Sequence, residues 1–428
     1  MSSHSGYRGK SLAFLEKNDL QVGNMVKVET DSTYSGILMP RYEYSDDKHI
    51  VLKLKSGYNI GVEIDKIKKI EIEPSETVKK VNMPQPHEDP KLPKILLVST
   101  GGTIASKIDY RTGGVTPALT AAELNATVPE LSKIANIDTE VLFSEYSENL
   151  LPEHWKKIAE KINSNVKSEY KGIIIAHGTD TMQYTAAALS FSLAGIPMPI
   201  ALVGSQRSSD RPSSDAAINL ISAARFLVEC NTTGIYVVMH NSTSDDEVAC
   251  HWGTRVRKNH TSKRNAFQTI GSNPSFIIKK DQIEKNPQFN VVKKDYIPKI
   301  NFDTHVALVK YYPGLDPQMI EHIISSGYKA IIFEGTGLGH IGKIMYEYVG
   351  KAKKKGIFLG MTSQCIDGMV RMTVYESGRD LLNLGMIPLG DMIPETALVK
   401  AMWALGNSKS IEEMEKLMKE NIAMEFSD

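Results

Sequence analysis

Apolar runs alternate with amphipathic stretches along most of the chain from residue 94 onward. Two of the runs, 94–98 and 172–176, are almost entirely apolar, which is typical of strands buried on both faces of a parallel sheet. Patterns with a helical period follow, for example around 154–158 and 215–220. Strands that alternate with helices in this way predict a doubly wound α/β domain.

A second, smaller series of strands and helices follows a break near residues 280–299. Short apolar runs at 306–309, 330–333 and 356–359 predict its strands. Ser410 is followed three residues later by Glu413, the pattern of a capping box that opens a final helix. We therefore expect a smaller C-terminal α/β domain.

The first part of the chain has a different pattern, with short alternating runs between residues 19 and 72. Alternation with a period of two, broken by turn residues at Asp46-Asp47 and Ser56-Gly57, predicts a small antiparallel β-barrel. The stretch 76–93 contains Pro84, Pro86, Pro90 and Pro93, which favours a semi-rigid linker.

These patterns divide the chain into four regions. The predicted regions are a small β-barrel domain at 1–75, a proline-rich linker at 76–93, an N-terminal α/β catalytic domain at 94–290 and a C-terminal α/β domain at 300–428.

Composition narrows the class of protein. Of 428 residues, 41% are hydrophobic and 23% are charged, and 50 Lys and Arg balance 50 Asp and Glu. No net charge therefore draws the chain toward nucleic acid or an acidic surface. The three widely spaced cysteines favour a reducing cytoplasm over a disulfide framework or a metal site. No apolar stretch approaches the roughly 20 residues that span a bilayer, so we expect no membrane association.

Glycine and threonine follow both of the long apolar runs. Gly101, Gly102 and Thr103 come after the first run, and Gly178, Thr179 and Asp180 come after the second. Loops beyond the carboxyl ends of parallel strands are where ligands bind. A threonine hydroxyl in such a loop becomes a nucleophile if a base takes its proton, although a tight turn alone also favours threonine.

Asp180 precedes a predicted helix, where an aspartate stabilises the helix start or binds a substrate ammonium. A catalytic site made of the two threonines and this carboxylate would still need a group that accepts the proton of the nucleophile. The basic run 255–264 offers a lysine for that role. The same run equally fits a solvated surface or a set of phosphate contacts, and spacing alone does not choose among the three.

A dinucleotide-binding protein is a competing interpretation. Residues 337–342 match the pattern GxGxxG and follow a predicted strand. The next strand, 356–361, does not end in the acidic residue that would bind a ribose. This interpretation is therefore weak.

The segments TGGTIAS and HGTDT together resemble the type I/II L-asparaginase family, over the chain from about residue 94 onward. The resemblance implies an asparaginase-like fold for both α/β domains and an amide-hydrolysing activity. It implies a set of catalytic residues: Thr103, Thr179, Asp180 and Lys258. It also implies a set of substrate-binding residues: Gly102, Ser147, Glu148 and Ser205.

One substrate-binding position departs from the family pattern. Asparaginases carry a tyrosine on the loop after the first threonine, usually before a proline. Here Val115-Thr116-Pro117 occupies that stretch, and the nearby tyrosine is Tyr110. We take Tyr110 as the candidate for this position.

The whole chain, including its first 90 or so residues, resembles the D-subunit family of archaeal glutamyl-tRNA(Gln) amidotransferases. This implies a protein that releases ammonia from glutamine or asparagine through a threonine acyl-enzyme, with no cofactor of its own. An E-type partner subunit would carry the kinase and transamidase activity with ATP and magnesium, and would bind most of the Glu-tRNA(Gln). It further implies a homodimer within a cytoplasmic heterotetramer. A stand-alone cytoplasmic L-asparaginase is the alternative.

Overall fold

The computed structural model describes residues 6–41, 45–54, 59–73, 89–102, 128–207 and 214–427, and the backbone of 106–109 and 114–117. Thr103, Tyr110 and most of the predicted linker lie outside the described residues.

The N-terminal part is an antiparallel sheet with one helix. Its elements are α1 (Gly9–Lys17), β1 (Met25–Glu29), β2 (Thr33–Leu38), β3 (His49–Leu54), β4 (Asn59–Glu63) and β5 (Lys69–Ile72). The strand order is β4-β3-β2-β1-β5. Leu15 and Leu20 pack with alternate strand residues such as Val26, Val28 and Leu52 in a separate small core. The predicted small β unit is therefore present.

A large mixed sheet forms the centre of the molecule. Its strands are β6 (Lys94–Ser99), β9 (Asn136–Val141), β10 (Ile173–Ala176), β11 (Pro199–Val203), β12 (Gly234–His240), β13 (Glu247–Trp252), β16 (Phe276–Lys279) and β17 (Ile283–Lys285). They are ordered β17-β16-β13-β12-β11-β10-β6-β9. The five strands β9, β6, β10, β11 and β12 run parallel, and the other three extend the sheet in antiparallel fashion.

The structure also contains two short hairpins. They are β7 (Ser106–Asp109) with β8 (Gly114–Pro117), and β14 (Val256–Lys258) with β15 (Phe267–Thr269).

Helices cover both faces of the parallel strands. They are α2 (Pro152–Asn165), α3 (Met182–Ser192) and α4 (Ala216–Glu229). Alternate residues of one strand contact opposite layers, because Ile95 packs in the core with α4 whereas Leu96 packs in the core with α2 and α3. Burial on both faces explains the continuous apolar runs, and the doubly wound prediction is confirmed.

A parallel four-stranded sheet with helices forms the C-terminal part. Its elements are β18 (Val306–Lys310), α5 (Gln318–Ser325), β19 (Ala330–Gly335), α6 (Tyr346–Lys354), β20 (Phe358–Ser363), α7 (Glu376–Asn383), β21 (Ile387–Pro388), α8 (Pro394–Gly406) and α9 (Ile411–Lys419). The smaller α/β unit is therefore confirmed. Within the described ranges, no helix is long and apolar enough to cross a bilayer.

Helix α3 joins the two α/β parts. Met182 and Leu189 pack toward the large sheet, while Ala187 and Phe191 pack against α8. The helix is consequently buried around almost its whole circumference. Its N-terminal end, which follows Thr179 and Asp180, is held from two sides.

Residues 420–427 form a C-terminal tail that is tied to both α/β parts. Glu425 and Lys400 are both fully buried and form an ion pair with Nζ and Oε1 2.5 Å apart. Trp252 Nε1 and Thr254 Oγ1 donate to the Ala423 carbonyl at 2.6 and 2.9 Å. The tail thus supports the turn that leads into β14.

Candidate active site

The two glycine-threonine segments emerge side by side from neighbouring strands. β6 pairs in parallel with β10, with Ser99 opposite Ala176. Thr100 donates to the Ala176 carbonyl from both its backbone nitrogen, at 3.0 Å, and its hydroxyl, at 2.9 Å. The loops therefore leave the sheet together.

Gly102 brings the first loop against the second. Its φ is +78°, and a Cβ there would lie 2.6 Å from the backbone nitrogen of Gly178. Both facts require glycine, since a side chain would be strained and would collide with backbone. The candidate nucleophile, Thr103, is the next residue along the chain.

Lys258 contacts both polar residues of the second loop. Its Nζ lies 2.8 Å from Thr179 Oγ1 and 2.6 Å from Asp180 Oδ1. The lysine side chain is only 8% exposed, whereas that of Asp180 is 68% exposed. An inner lysine, a threonine hydroxyl and an outer carboxylate thus form one connected group.

The hairpin of β14 and β15 delivers Lys258 to this point. Lys258 pairs with Phe267 across the hairpin, and Phe267 and Val256 are buried in the core beneath it. The packing of these alternate positions directs the hairpin onto the sheet. We name residues 256–269 the lysine hairpin.

The arginines of the basic run all have carboxylate partners. Arg255 pairs with Asp391 at 2.7 Å, Arg257 with Glu395 at 3.1 Å, and Arg264 with Asp245 at 2.5 Å. These pairs are internal to the chain. The pattern argues against the run as a phosphate-binding surface.

Ser147 lies directly against the second loop. A Cβ on Gly178 would lie 2.9 Å from Ser147 Oγ, and Thr181 Oγ1 donates to the Ser147 carbonyl at 2.7 Å. Glu148 follows in an exposed position, and its carboxylate has no ion pair or hydrogen bond among the described residues. Ser147 thus lies beside the group, and the exposed Glu148 is the next residue along the chain.

The segment 204–207, which we name the Ser205 segment, lies close to Thr179. A Cβ on Gly204 would lie 2.8 Å from Thr179 Cγ2. The fully buried Asp215 accepts hydrogen bonds from the backbone nitrogens of Gln206 and Arg207 at 3.0 Å. Asp215 therefore holds the segment, a role that the sequence pattern did not predict.

His177 is a second residue whose role was not predicted. It is fully buried, and its Nδ1 donates to the Gly178 carbonyl at 2.6 Å while Nε2 accepts from Thr185 Oγ1 at 2.9 Å. Burial lowers the pKa of His177 to about 4. A neutral ring with a defined tautomer thus orients the peptide that precedes Thr179.

No group of three or more His, Cys, Asp or Glu residues with metal-binding geometry occurs among the residues that the structure describes. The chemistry visible at this site is that of hydroxyl, amine and carboxylate groups.

Comparison with known families places the fold in the asparaginase class. A model of the asparaginase N-terminal domain matches residues 94–290, and a model of the glutaminase/asparaginase C-terminal domain matches residues 305–418. A third model, described as the GatD N-terminal domain, matches residues 20–72.

Curated relatives define the family more narrowly. A protein of Metallosphaera sedula, named as the D-subunit of glutamyl-tRNA(Gln) amidotransferase, is 45% identical, over 99% of this chain and 96% of its own length. A protein of Pyrococcus abyssi with the same name is 44% identical, over 97% of each chain. The chain therefore belongs to the D-subunit family of glutamyl-tRNA(Gln) amidotransferases.

Solved asparaginases share the fold. The thermostable L-asparaginase from Thermococcus kodakarensis is similar with a TM-score of 0.70 and 34% identity, over 78% of this chain and 99% of its own. L-asparaginase I from Vibrio cholerae is similar with a TM-score of 0.67 and 26% identity, over 79% of this chain and 100% of its own.

Proposed function

We propose that this chain hydrolyses the side-chain amide of glutamine, or of asparagine, through a threonine acyl-enzyme and supplies the ammonia for tRNA-dependent amidation. The observation that carries the proposal is the contact of Lys258 Nζ with both Thr179 Oγ1 and Asp180 Oδ1. A largely buried lysine against a hydroxyl is a proton-transfer arrangement once the amine is neutral.

In the proposed reaction, the Thr103 hydroxyl attacks the amide carbon. Its proton passes to the leaving nitrogen, ammonia departs, and an ester remains on Thr103. Water then cleaves the ester, which releases the acid and restores the hydroxyl. Thr179 and Lys258 relay protons in both halves, and the variants described below also test whether the two threonines exchange roles.

Asp180 would bind the α-ammonium of the substrate, because its carboxylate is exposed at the edge of the group. A substrate ammonium there would share the Asp180 carboxylate with Lys258. Glu148 would share the ammonium, and Ser147 would bind the α-carboxylate. Gly102, Ser205 and Tyr110 complete the proposed substrate contacts around the reacting amide.

Substitution of Lys258 tests the catalytic part. We expect Lys258→Met and Thr179→Ala each to lower kcat for glutamine hydrolysis about 100-fold or more, the usual contribution of positioned proton transfer. Lys263→Met is the matched control, because Lys263 belongs to the same hairpin and is exposed. Activity of Lys258→Met equal to that of the Lys263→Met control would contradict the mechanism.

Thr103→Ala and Thr103→Ser test the nucleophile separately. The alanine variant should form no acyl-enzyme, and the serine variant should retain part of the activity because it keeps the hydroxyl. Rapid quenching followed by mass measurement detects the ester. An ester that forms on Thr179 instead would reverse the two roles.

We further propose that the ammonia is used by an E-type partner subunit, which holds ATP and magnesium and binds Glu-tRNA(Gln). The chain would act in the cytoplasm as a homodimer within a heterotetramer. The support is the naming of relatives that match nearly the whole chain, including its N-terminal part. We propose that residues 1–93 serve assembly of the complex, and that the two α/β domains at 94–290 and 300–428 carry out the chemistry.

A stand-alone L-asparaginase is the second candidate, favoured by the names of the solved structures of the same fold. Ammonia release by the purified chain, alone and with partner plus Glu-tRNA(Gln), separates the two. Glutamine hydrolysis that rises in the complex supports the amidotransferase. Full asparagine hydrolysis by the isolated chain, unchanged by partner and tRNA, supports the free enzyme.

A further inference from the structure

Both ring nitrogens of the buried His240 face hydrogen-bond acceptors. Nδ1 lies 2.6 Å from Asn219 Oδ1, and Nε2 lies 3.2 Å from Asp245 Oδ1. The orientation of Asn219 is determined, because its Nδ2 already donates to the Gly204 carbonyl and to Asp215. A ring between an amide oxygen and a carboxylate makes both hydrogen bonds only when it carries two protons.

On one side, His240 is connected to the Ser205 segment. Asn219 donates to the Gly204 carbonyl at 3.0 Å and to Asp215 Oδ2 at 3.1 Å. Asp215 in turn holds the backbone of Gln206 and Arg207. All three connecting side chains, His240, Asn219 and Asp215, are fully buried.

On the other side, His240 is connected to the lysine hairpin. Asp245 Oδ1 lies 2.5 Å from Arg264 Nη1, and Arg264 belongs to the turn that joins β14 to β15. Along the series, the charges of Asp215, a doubly protonated His240, Asp245 and Arg264 alternate in sign. A doubly protonated His240 and Arg264 would thus both face the Asp245 carboxylate.

We propose that His240, as a doubly protonated ring, is a positioning residue that couples the Ser205 segment to the lysine hairpin. It touches neither substrate nor the reacting atoms. It acts by keeping Gly204, which contacts Thr179, and the hairpin that bears Lys258 in one fixed relation. The kinetic part of this proposal rests on the proposed amide hydrolysis; its protonation part does not.

Two substitutions cut the connection on opposite sides. The amide nitrogen of His240→Asn lies near the place of Nδ1, so this variant keeps the bond to Asn219 and loses Asp245. The amide nitrogen of His240→Gln lies near the place of Nε2, so it keeps Asp245 and loses Asn219. Small displacements of a reacting group carry large costs in rate.

We expect a split between the two variants. His240→Asn, which releases the hairpin, should lower kcat about tenfold or more with little change in KM. His240→Gln, which releases the Ser205 segment, should raise KM about tenfold with a smaller change in kcat. Val238→Ala is the control, because Val238 packs on the same strand within the core and outside this series of contacts. Two variants whose changes match those of the Val238→Ala control would overturn the coupling.

Nitrogen-15 NMR of the histidine rings at pH 7 tests the protonation directly. The chain has 11 histidines, and the signals that vanish in His240→Gln identify the ring. We expect two protonated, pyrrole-type nitrogens; one unprotonated nitrogen would overturn the assignment. If the wild-type chain hydrolyses no amide, the proposed function fails while this measurement still decides the state of His240.

Discussion

Acidification from pH 7 to pH 5 should destabilise this fold through two buried histidines. Burial lowers the pKa of His251 to about 3 and that of His177 to about 4. His251 Nδ1 is bonded to Thr269 Oγ1, and its Nε2 has no partner among the described residues. A second proton on that ring would therefore point at no acceptor.

The sign of this pH effect on stability follows from the number of protons that the folded and unfolded states bind. A histidine in the unfolded chain takes up its proton near pH 6.5, whereas the folded rings stay neutral until near pH 4 or below. The unfolded state therefore binds more protons in this interval. The stability is fully present above about pH 6.5 and is lost as the pH falls from there toward the folded pKa values.

The size of the loss is set by the interval between pH 6.5 and pH 5. At about 1.4 kcal/mol per pH unit, each histidine that stays neutral in the fold contributes a loss of roughly 2 kcal/mol at pH 5. The two rings together account for about 4 kcal/mol of lost unfolding free energy. This is a large part of the stability of an ordinary domain.

Urea unfolding of the wild type and of His251→Asn, followed by tryptophan fluorescence at pH 7 and pH 5, isolates one ring. Asparagine keeps a polar atom near the place of Nδ1 and does not titrate. Between pH 7 and pH 5, the unfolding free energy of the His251→Asn variant should fall by about 2 kcal/mol less than that of the wild type. His322→Asn, at an exposed position of α5, controls for the removal of a histidine. Equal losses in the wild type and His251→Asn would refute the reasoning.

Three further predictions concern the site and its support. Gly102→Ala should cost more stability and activity than Gly327→Ala. Both glycines have φ near +80°, but of the two only Gly102 lies close to other backbone. Equal costs in thermal unfolding would mean that the loop contact is unimportant. Lys400→Met or Glu425→Gln should each destabilise the fold by about 3–5 kcal/mol by leaving a buried partner unpaired, and the double substitution should recover part of this in urea unfolding; additive losses would contradict the pairing. The analogue of glutamine without its α-amino group should have a kcat/KM at least about tenfold below that of glutamine, since Asp180 and Glu148 lose their cation; equal turnover would reject that role.

Much of the architecture was predictable because segments that are buried in the fold are apolar in the sequence. The runs before Gly101 and before Gly178 are apolar on successive positions, and the structure has both as neighbouring parallel strands. The antiparallel extension by β13, β16 and β17 was not predicted. Strand direction depends on pairing between distant segments, which local pattern does not encode.

The candidate site was predictable to the extent that its residues follow strands. Thr179 and Asp180 lie just beyond an apolar run that predicts a buried strand, so their positions at the site were predictable. Lys258 came from a basic run with three open interpretations and was chosen through a family resemblance. Its contact with Thr179 spans 79 residues of sequence. The roles of His177 and Asp215 depend on which backbone groups lie beside them, and composition contains no record of that.

The contacts of the C-terminal tail also bear on the order in which a newly made chain becomes competent. Trp252 lies 171 residues before Ala423, whose carbonyl it binds, and Arg255 binds the Met424 carbonyl 169 residues away. At about 5–20 residues per second, the ribosome needs on the order of 10–30 s to add that stretch. During this time the nascent polypeptide already contains both threonines and the lysine, but the turn before β14 lacks the carbonyls that support it. We expect ammonia release to begin only after translation has passed these residues, so that truncated translation products would not consume glutamine.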